Sequence, residues 1–142
     1  MLPCIELAPD AGKNAFAEML AQLLRQNLDD HPDKQQVFVR LHATVAIVVE
    51  DLDLAVTLEF RRGRLVVHDG IVGVPDLAIR APSEWVMKMS LVELRGRFGL
   101  PDPNGQVARE VWGASTDGTI RVLGALTSFP LALRLTRVMS VN

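Results

Sequence analysis

One cysteine, Cys4, is the whole thiol content of the 142 residues. No internal disulfide can close, no thiolate zinc cluster can form, and a reducing, cytoplasmic setting is expected. No apolar run nears the roughly 20 residues that span a bilayer. Charge-free apolar stretches such as Leu41 to Val49 and Gly124 to Leu133 fall far short of it. The start, Met1 to Glu6, lacks the basic residues and following apolar stretch of a signal peptide, and the end, Met139 to Asn142, carries no peroxisomal or retention address. Positive charge is not in excess: 15 Lys and Arg stand against 17 Asp and Glu, for a net charge of -2. Such a chain has no general field to hold a phosphate backbone, so nucleic acid is not an expected partner. Gly-x-Ser-x-Gly, phosphate-loop and dinucleotide-binding patterns are missing as well. No catalytic residue, metal or cofactor is therefore expected.

What the chain does have is core-forming material. Hydrophobic residues make up 49% and charged residues 23%, the composition of a folded chain, and the length suits a single domain over residues 1–142. Ala15, Phe16, Met19, Leu20, Leu23, Leu24 and Leu28 recur at helical spacing, so an amphipathic helix opens the domain and stops within Asn27 to Asp33. From Val37 the period becomes alternate: Val37, Val39, Leu41, Ala43, Val45, Ile47 and Val49 would share one face of a long strand. Glu50 to Asp53 reads as a solvated acidic turn, and Ala55 to Arg61 alternates again. Arg62-Gly63 then turns the chain tightly into a third strand, Arg64 to His68. Gly70 to Pro75 crosses to a short strand, Leu77 to Arg80. Ser83 opens a helical stretch to Leu94, with a second capping signal at Ser90 and Glu93. Arg97 to Asp117 is rich in Gly and Pro with a short helical possibility at Gln106 to Trp112. Thr119 to Leu123 and Phe129 to Met139 read as a last strand and a closing amphipathic helix.

This order is α+β, with helices able to cover one face of a single sheet, and it resembles the sterol carrier protein type 2 family. Two regions carry the resemblance. One is Phe60-Arg61-Arg62-Gly63-Arg64-Leu65-Val66-Val67 with Pro75-Asp76-Leu77-Ala78-Ile79 and Ser83-Glu84-Trp85. The other is Asp117-Gly118-Thr119-Ile120-Arg121-Val122-Leu123-Gly124. The resemblance covers about Val37 to Met139. It implies a five-stranded mixed sheet with helices over one face, a lipid-sized cavity between them, and binding or transfer of an apolar ligand without turnover. The long connection Arg97 to Asp117 departs from the family pattern.

The residues supply a physical case for the same function. Trp85, Val86, Met89, Leu91, Val92 and Leu94 surround nearly all sides of a short helical stretch, more than one stripe can hide, and thioethers adapt to irregular ligands. Trp85, Met89, Leu91 and Leu94, with Phe98 and Trp112 of the connection and Phe129, Leu133 and Met139 of the closing helix, are the candidate wall of a site for a fatty acyl, isoprenoid or sterol-like ligand. Core filling is the plainer reading of each. Arg97 to Asp117, through Phe98, Leu100, Val107, Val111 and Trp112, could form a lid. His42 and His68 lie on strands without a third ligand at a recognisable spacing. Arg61, Arg62 and Arg64 form one basic knot, a solvated turn that leaves transient contact with anionic lipid open. The competing class is a module that binds no ligand and joins a partner or a second copy through an apolar patch, so a homodimer stays open.

Overall fold

The computed structural model describes residues 4–9, 11–89, 94–95, 100–101, 105–124 and 129–139. Strand β1 (Cys4–Leu7) leads through a single 3-10 turn to α1 (Ala15–Asp30) and α2 (Pro32–Arg40). Strands β2 (His42–Val49), β3 (Leu54–Arg61), β4 (Arg64–Asp69) and β5 (Leu77–Ala81) follow, then α3 (Ser83–Met89). A two-stranded ribbon, β6 (Leu94–Arg95) with β7 (Leu100–Pro101), precedes α4 (Gln106–Asp117), β8 (Arg121–Leu123) and α5 (Phe129–Met139). The fold is α+β, and its main sheet is mixed with order β1-β4-β3-β2-β5-β8.

The expected five strands are six. The additional one is β1, which runs parallel to β4 with Cys4 opposite Arg64 and Leu7 opposite Val67. Four residues are too short for alternation to announce a strand. Its partner supplies the definition: the Cys4 amide donates to the Gly63 carbonyl at 2.9 Å. The long strand expected from Val37 is also corrected, because residues up to Arg40 are helical. Pro32 occupies the first turn of α2, where its missing N–H costs nothing, and Asp33 favours the same helix end. Lys34 and Phe38, four apart, are the buried pair of this helix, so the alternation of Val37 and Val39 was coincidental.

The remaining strands pair as an antiparallel meander. Val45 lies opposite Leu58, and Leu58 opposite Val67. β5 joins β2 in parallel, with Ile47 opposite Ile79, and Ile79 faces Val122 of β8. The tight hairpin is as expected: Arg62 and Gly63 both have positive φ, at 46° and 98°, the left-handed pair that suits a two-residue turn. Gly124, with φ of 90°, closes β8 where its backbone lies against that of Asp76 and Leu77, leaving no room for a Cβ. The last helix runs from Phe129 to Met139 as expected, whereas the helix in the Gly- and Pro-rich connection extends to Asp117 rather than stopping at Trp112.

Register places Leu65, Val67, Val56, Leu58, Phe60, Val45, Ile47, Val49, Leu77 and Ile79 on one face of the sheet, and all are buried. Helix α1 lies on that face with Leu20, Leu24 and Leu28 inward. Phe38 meets Phe60 edge to face, with ring centroids 6.0 Å apart. The opposite face carries Glu59, Arg80, Arg121 and His68 and is crossed by the segment 70–75, held where the Thr57 hydroxyl donates to the Gly70 carbonyl and accepts from the Val72 amide.

Two buried amides fix the helices. Asn14 caps α1 by accepting from the Phe16 and Ala17 amides, while its Nδ2 donates to the Ala55 carbonyl and to Asp69 at 2.8 Å. Asn27 donates to the Val138 and Met139 carbonyls and so ties the end of α5 to α1. Replacing Asn14 removes a cap and leaves buried groups without partners. Asn14→Ala is expected to lower the unfolding free energy by about 1–3 kcal/mol, measured by urea denaturation. A loss within error would show that the cap and the link to β3 and β4 are dispensable.

Candidate functional site

On the helix side of the sheet, at the end of β2 and the start of β3, an apolar cleft of about 260 Å³ opens to solvent. Val49 and Leu54 form its floor, Phe16 and Met19 of α1 one wall, and Met87 of α3 with Leu52 of the β2–β3 turn the other. Ser83 is its polar member. Leu52 is 56% and Met87 50% exposed, well beyond what a closed core permits. The cause is geometric. Helix α1 covers the β1, β4 and β3 side of the sheet, and α3 is too short to close the space that remains.

What holds α3 is a carboxylate in the turn opposite it. Asp51 accepts from both the amide and the hydroxyl of Ser83, each at 2.7 Å, and caps α3 from another element. These hydrogen bonds hold the Asp51 carboxyl below its ordinary range. The turn expected to be merely solvated is thus a latch. The far side of α3 is tied to α4: Lys88 reaches Glu110 at 3.2 Å and lies 4.7 Å from the centroid of the Trp85 ring.

The nine expected wall residues are distributed unevenly. Trp85 and Met139 are half-buried and pack on the core. Trp112 stands on the outer side of α4 at 73% exposure, while Val111 of the same helix packs inward. Leu133 lines a different cleft, of about 340 Å³, between α2 and α5, together with Val37, Pro130 and three arginines. Met89 ends α3, Leu94 lies in β6 and Phe129 begins α5. Leu91 and Phe98 lie outside the described residues, as do parts of the expected lid. Sequence reasoning missed Phe16, Met19, Leu52, Leu54 and Met87. The available signal was Leu52, a large apolar side chain in an otherwise acidic turn.

Other chemistry finds less support. His68 Nε2 is buried 3.5 Å from Glu59 on the opposite face of the sheet, and His42 is exposed at the start of β2. Among the described residues no group of three His, Cys, Asp or Glu side chains is placed to share a metal ion. Cys4 opens β1. Its thiol donates to Glu6, which pushes its pKa up and away from the nucleophilic thiolate. Among the described residues no helix is long and apolar enough to cross a membrane.

Known proteins place this architecture. The SCP-2 sterol transfer family matches residues 20–97. No curated protein sequence matches the chain. Among solved structures, the UbiJ-SCP2 ubiquinone synthesis protein superposes over 90% of this chain and 96% of its own, with a TM-score of 0.65 at 14% identity. A sterol carrier protein 2 covers 87% and 92%, with a TM-score of 0.54 at 14% identity. The sec-alkylsulfatase Pisa1 from Pseudomonas sp. matches 91% of this chain with only 16% of its own, at a TM-score of 0.53 and 16% identity. At these identities the likeness is one of fold.

The latch carries a pH dependence. Because the Asp51 carboxyl titrates below its ordinary value of 3.8, its hold on α3 is complete above that value and is lost as the pH falls through the lower, folded one. In a Trp112→Phe background, Trp85 emission is expected to change across that acid range. Asp51→Asn should show the changed emission already at neutral pH. An identical titration in both proteins would exclude Asp51 as the latch.

Proposed function

The chain belongs to the SCP-2 sterol transfer family, and from that premise we propose that it binds one apolar lipid ligand, fatty acyl, isoprenoid or sterol-like, between sheet and helices and releases it chemically unchanged. The apolar cleft bounded by α1, α3 and the β2–β3 turn is the observation that carries this reading. Its lining offers hydrocarbon on three sides and a hydroxyl at one point, so recognition rests on removing chain from water, at about 25 cal/mol per Å². Head-group discrimination there is correspondingly weak. The likeness to a ubiquinone synthesis protein favours an isoprenoid chain among the three.

The cleft is smaller than the usual ligand pocket of roughly 300–1,000 Å³. A full-length chain therefore requires α3 to move outward, and α3 suits that task because it has seven residues and is latched at an exposed carboxylate. Trp85, Met89, Leu91, Leu94, Phe98, Phe129 and Met139 are the residues we propose to complete the wall once α3 has moved. Trp112 and Leu133 would lie outside this wall. An exposed lone cysteine with a raised pKa suits the cytoplasm.

A second reading, a module that joins a partner or another copy, has one observation in its favour. Ile71 is 57%, Val72 41% and Val74 90% exposed on the strap that crosses the opposite face of the sheet. Native mass spectrometry of freshly purified protein separates the two, since co-purified lipid supports the first reading and an empty dimer the second.

A fluorescent fatty acid is expected to saturate near one equivalent and to be recovered intact. Met87→Asp, at an exposed position that the fold tolerates, should weaken that binding by about tenfold or more by placing a carboxylate against hydrocarbon. Failure of acyl, isoprenoid and sterol probes alike to give a saturable signal would overturn the proposal.

A further inference from the structure

The second cleft, between α2 and α5, has a different chemistry from the first. On α2 the residues Asp33, Val37 and Arg40 recur at one helical stripe. On α5 the residues Leu133, Arg134 and Arg137 do the same. Arg137 pairs with Asp33 at 3.2 Å, which sets the carboxyl end of α5 beside the amino end of α2. Val37 and Leu133 then face the middle of the cleft. Arg40 and Arg134 are exposed, and neither makes an ion pair among the described residues. Both line the same cleft as Val37 and Leu133.

Charge at this place runs against that of the molecule. The chain carries a net -2, yet the cleft holds three guanidinium groups against one carboxylate. Among the described residues Asp33 is the one carboxylate that lines the cleft, and the guanidinium groups of Arg40 and Arg134 share the lining with Val37 and Leu133. A guanidinium matches the paired oxygens of a phosphate or carboxylate in a way that an ammonium does not.

We propose that the α2–α5 cleft binds the oxyanion head of an amphiphile, a phosphate ester or a carboxylate, on Arg40 and Arg134, with the first carbons of its chain on Val37 and Leu133. The site is separate from the apolar cleft. Arg40 precedes β2 and Val49 ends it, and eight strand residues span about 23 Å. One protein thus offers hydrocarbon binding at one end of β2 and head-group recognition at the other. This assignment stands whether or not a lipid occupies the apolar cleft.

Dodecyl phosphate, dodecanoate, dodecanol and inorganic phosphate distinguish the possible sources of the anion. In NMR spectra of the full chain, dodecyl phosphate or dodecanoate is expected to shift the Arg40 and Arg134 Nε–Hε resonances saturably. Inorganic phosphate should do so more weakly because it gains nothing from Val37 and Leu133, and dodecanol should not shift them. By calorimetry, the Arg40→Gln/Arg134→Gln variant should bind the better anion about tenfold or more weakly. Its binding of a neutral probe in the Met87 cleft and its melting temperature should be unchanged. Arg40→Lys/Arg134→Lys, which keeps the charge and loses the fork, should fall between. Equal affinity of the native and glutamine proteins for both anions, or equal shifts with dodecanol, would overturn the assignment. Loss of neutral-probe binding alone in Met87→Asp would bear on the apolar cleft and leave this one standing.

Discussion

Burial of one face of a mixed sheet under α1 sets the terms for the rest of the molecule. The inner residues of β2, β3 and β4 form a continuous aliphatic surface, and leaving it wet would forfeit about 1.5–3 kcal/mol for each large side chain. Helix α1 hides much of that surface, and the Asn14 side chain fixes where the helix can lie. The same amide that caps the helix is bonded to β3 and β4. A helix held at its first turn by two strands has little freedom to slide. Its far end in turn positions others, because Asn27 holds the last carbonyls of α5 and the chain then breaks at His31 to begin α2.

From this arrangement both clefts follow. A single helix cannot cover the inner face of a sheet whose order is β1-β4-β3-β2-β5-β8. The space past Val49 and Leu54 is left to α3, a short element that a side chain in the opposite turn must hold. Incomplete coverage that would be a defect in a purely structural domain is what the proposed binding of hydrocarbon requires. The α2–α5 cleft has another origin. Two short amphipathic helices meet at an end of the bundle where solvent reaches both, so their contact stripe can carry arginines as well as valine and leucine. Packing and solvation of the guanidinium heads are satisfied together, since the stems lie on apolar surface while the charges remain wet.

The degree to which sequence reasoning succeeded varied with the distance between interacting residues. Phe129 to Met139 was readable as a helix because its stripe lies within one segment. The β3–β4 hairpin was readable because Arg62-Gly63 fits only a tight left-handed turn. Residues 37–40 were misread as strand because Val37, Val39 and Leu41 alternate by chance, and the burial of Lys34 beside Phe38 that identifies the helix depends on α1 and α5. Strand β1 gave no periodic signal since it exists only against β4. Met87 and Leu52 were passed over, because the cleft they line forms only once α1, α3 and the β2–β3 turn are brought together. Ser83 was recognised as a helix start, but its cap lies 32 residues away in Asp51.

By itself the sequence determined the α+β class, the amphipathic opening and closing helices and the three-strand meander. These are local properties, written in side-chain spacing and turn residues a few positions apart. The tertiary structure alone decided the sixth strand, the latch on α3 and the position of both clefts. Each depends on groups far apart in the chain, such as Asp33 and Arg137, separated by 104 residues. No local pattern records such a pair, because its geometry exists only after the sheet has buried its inner face and brought the helices together.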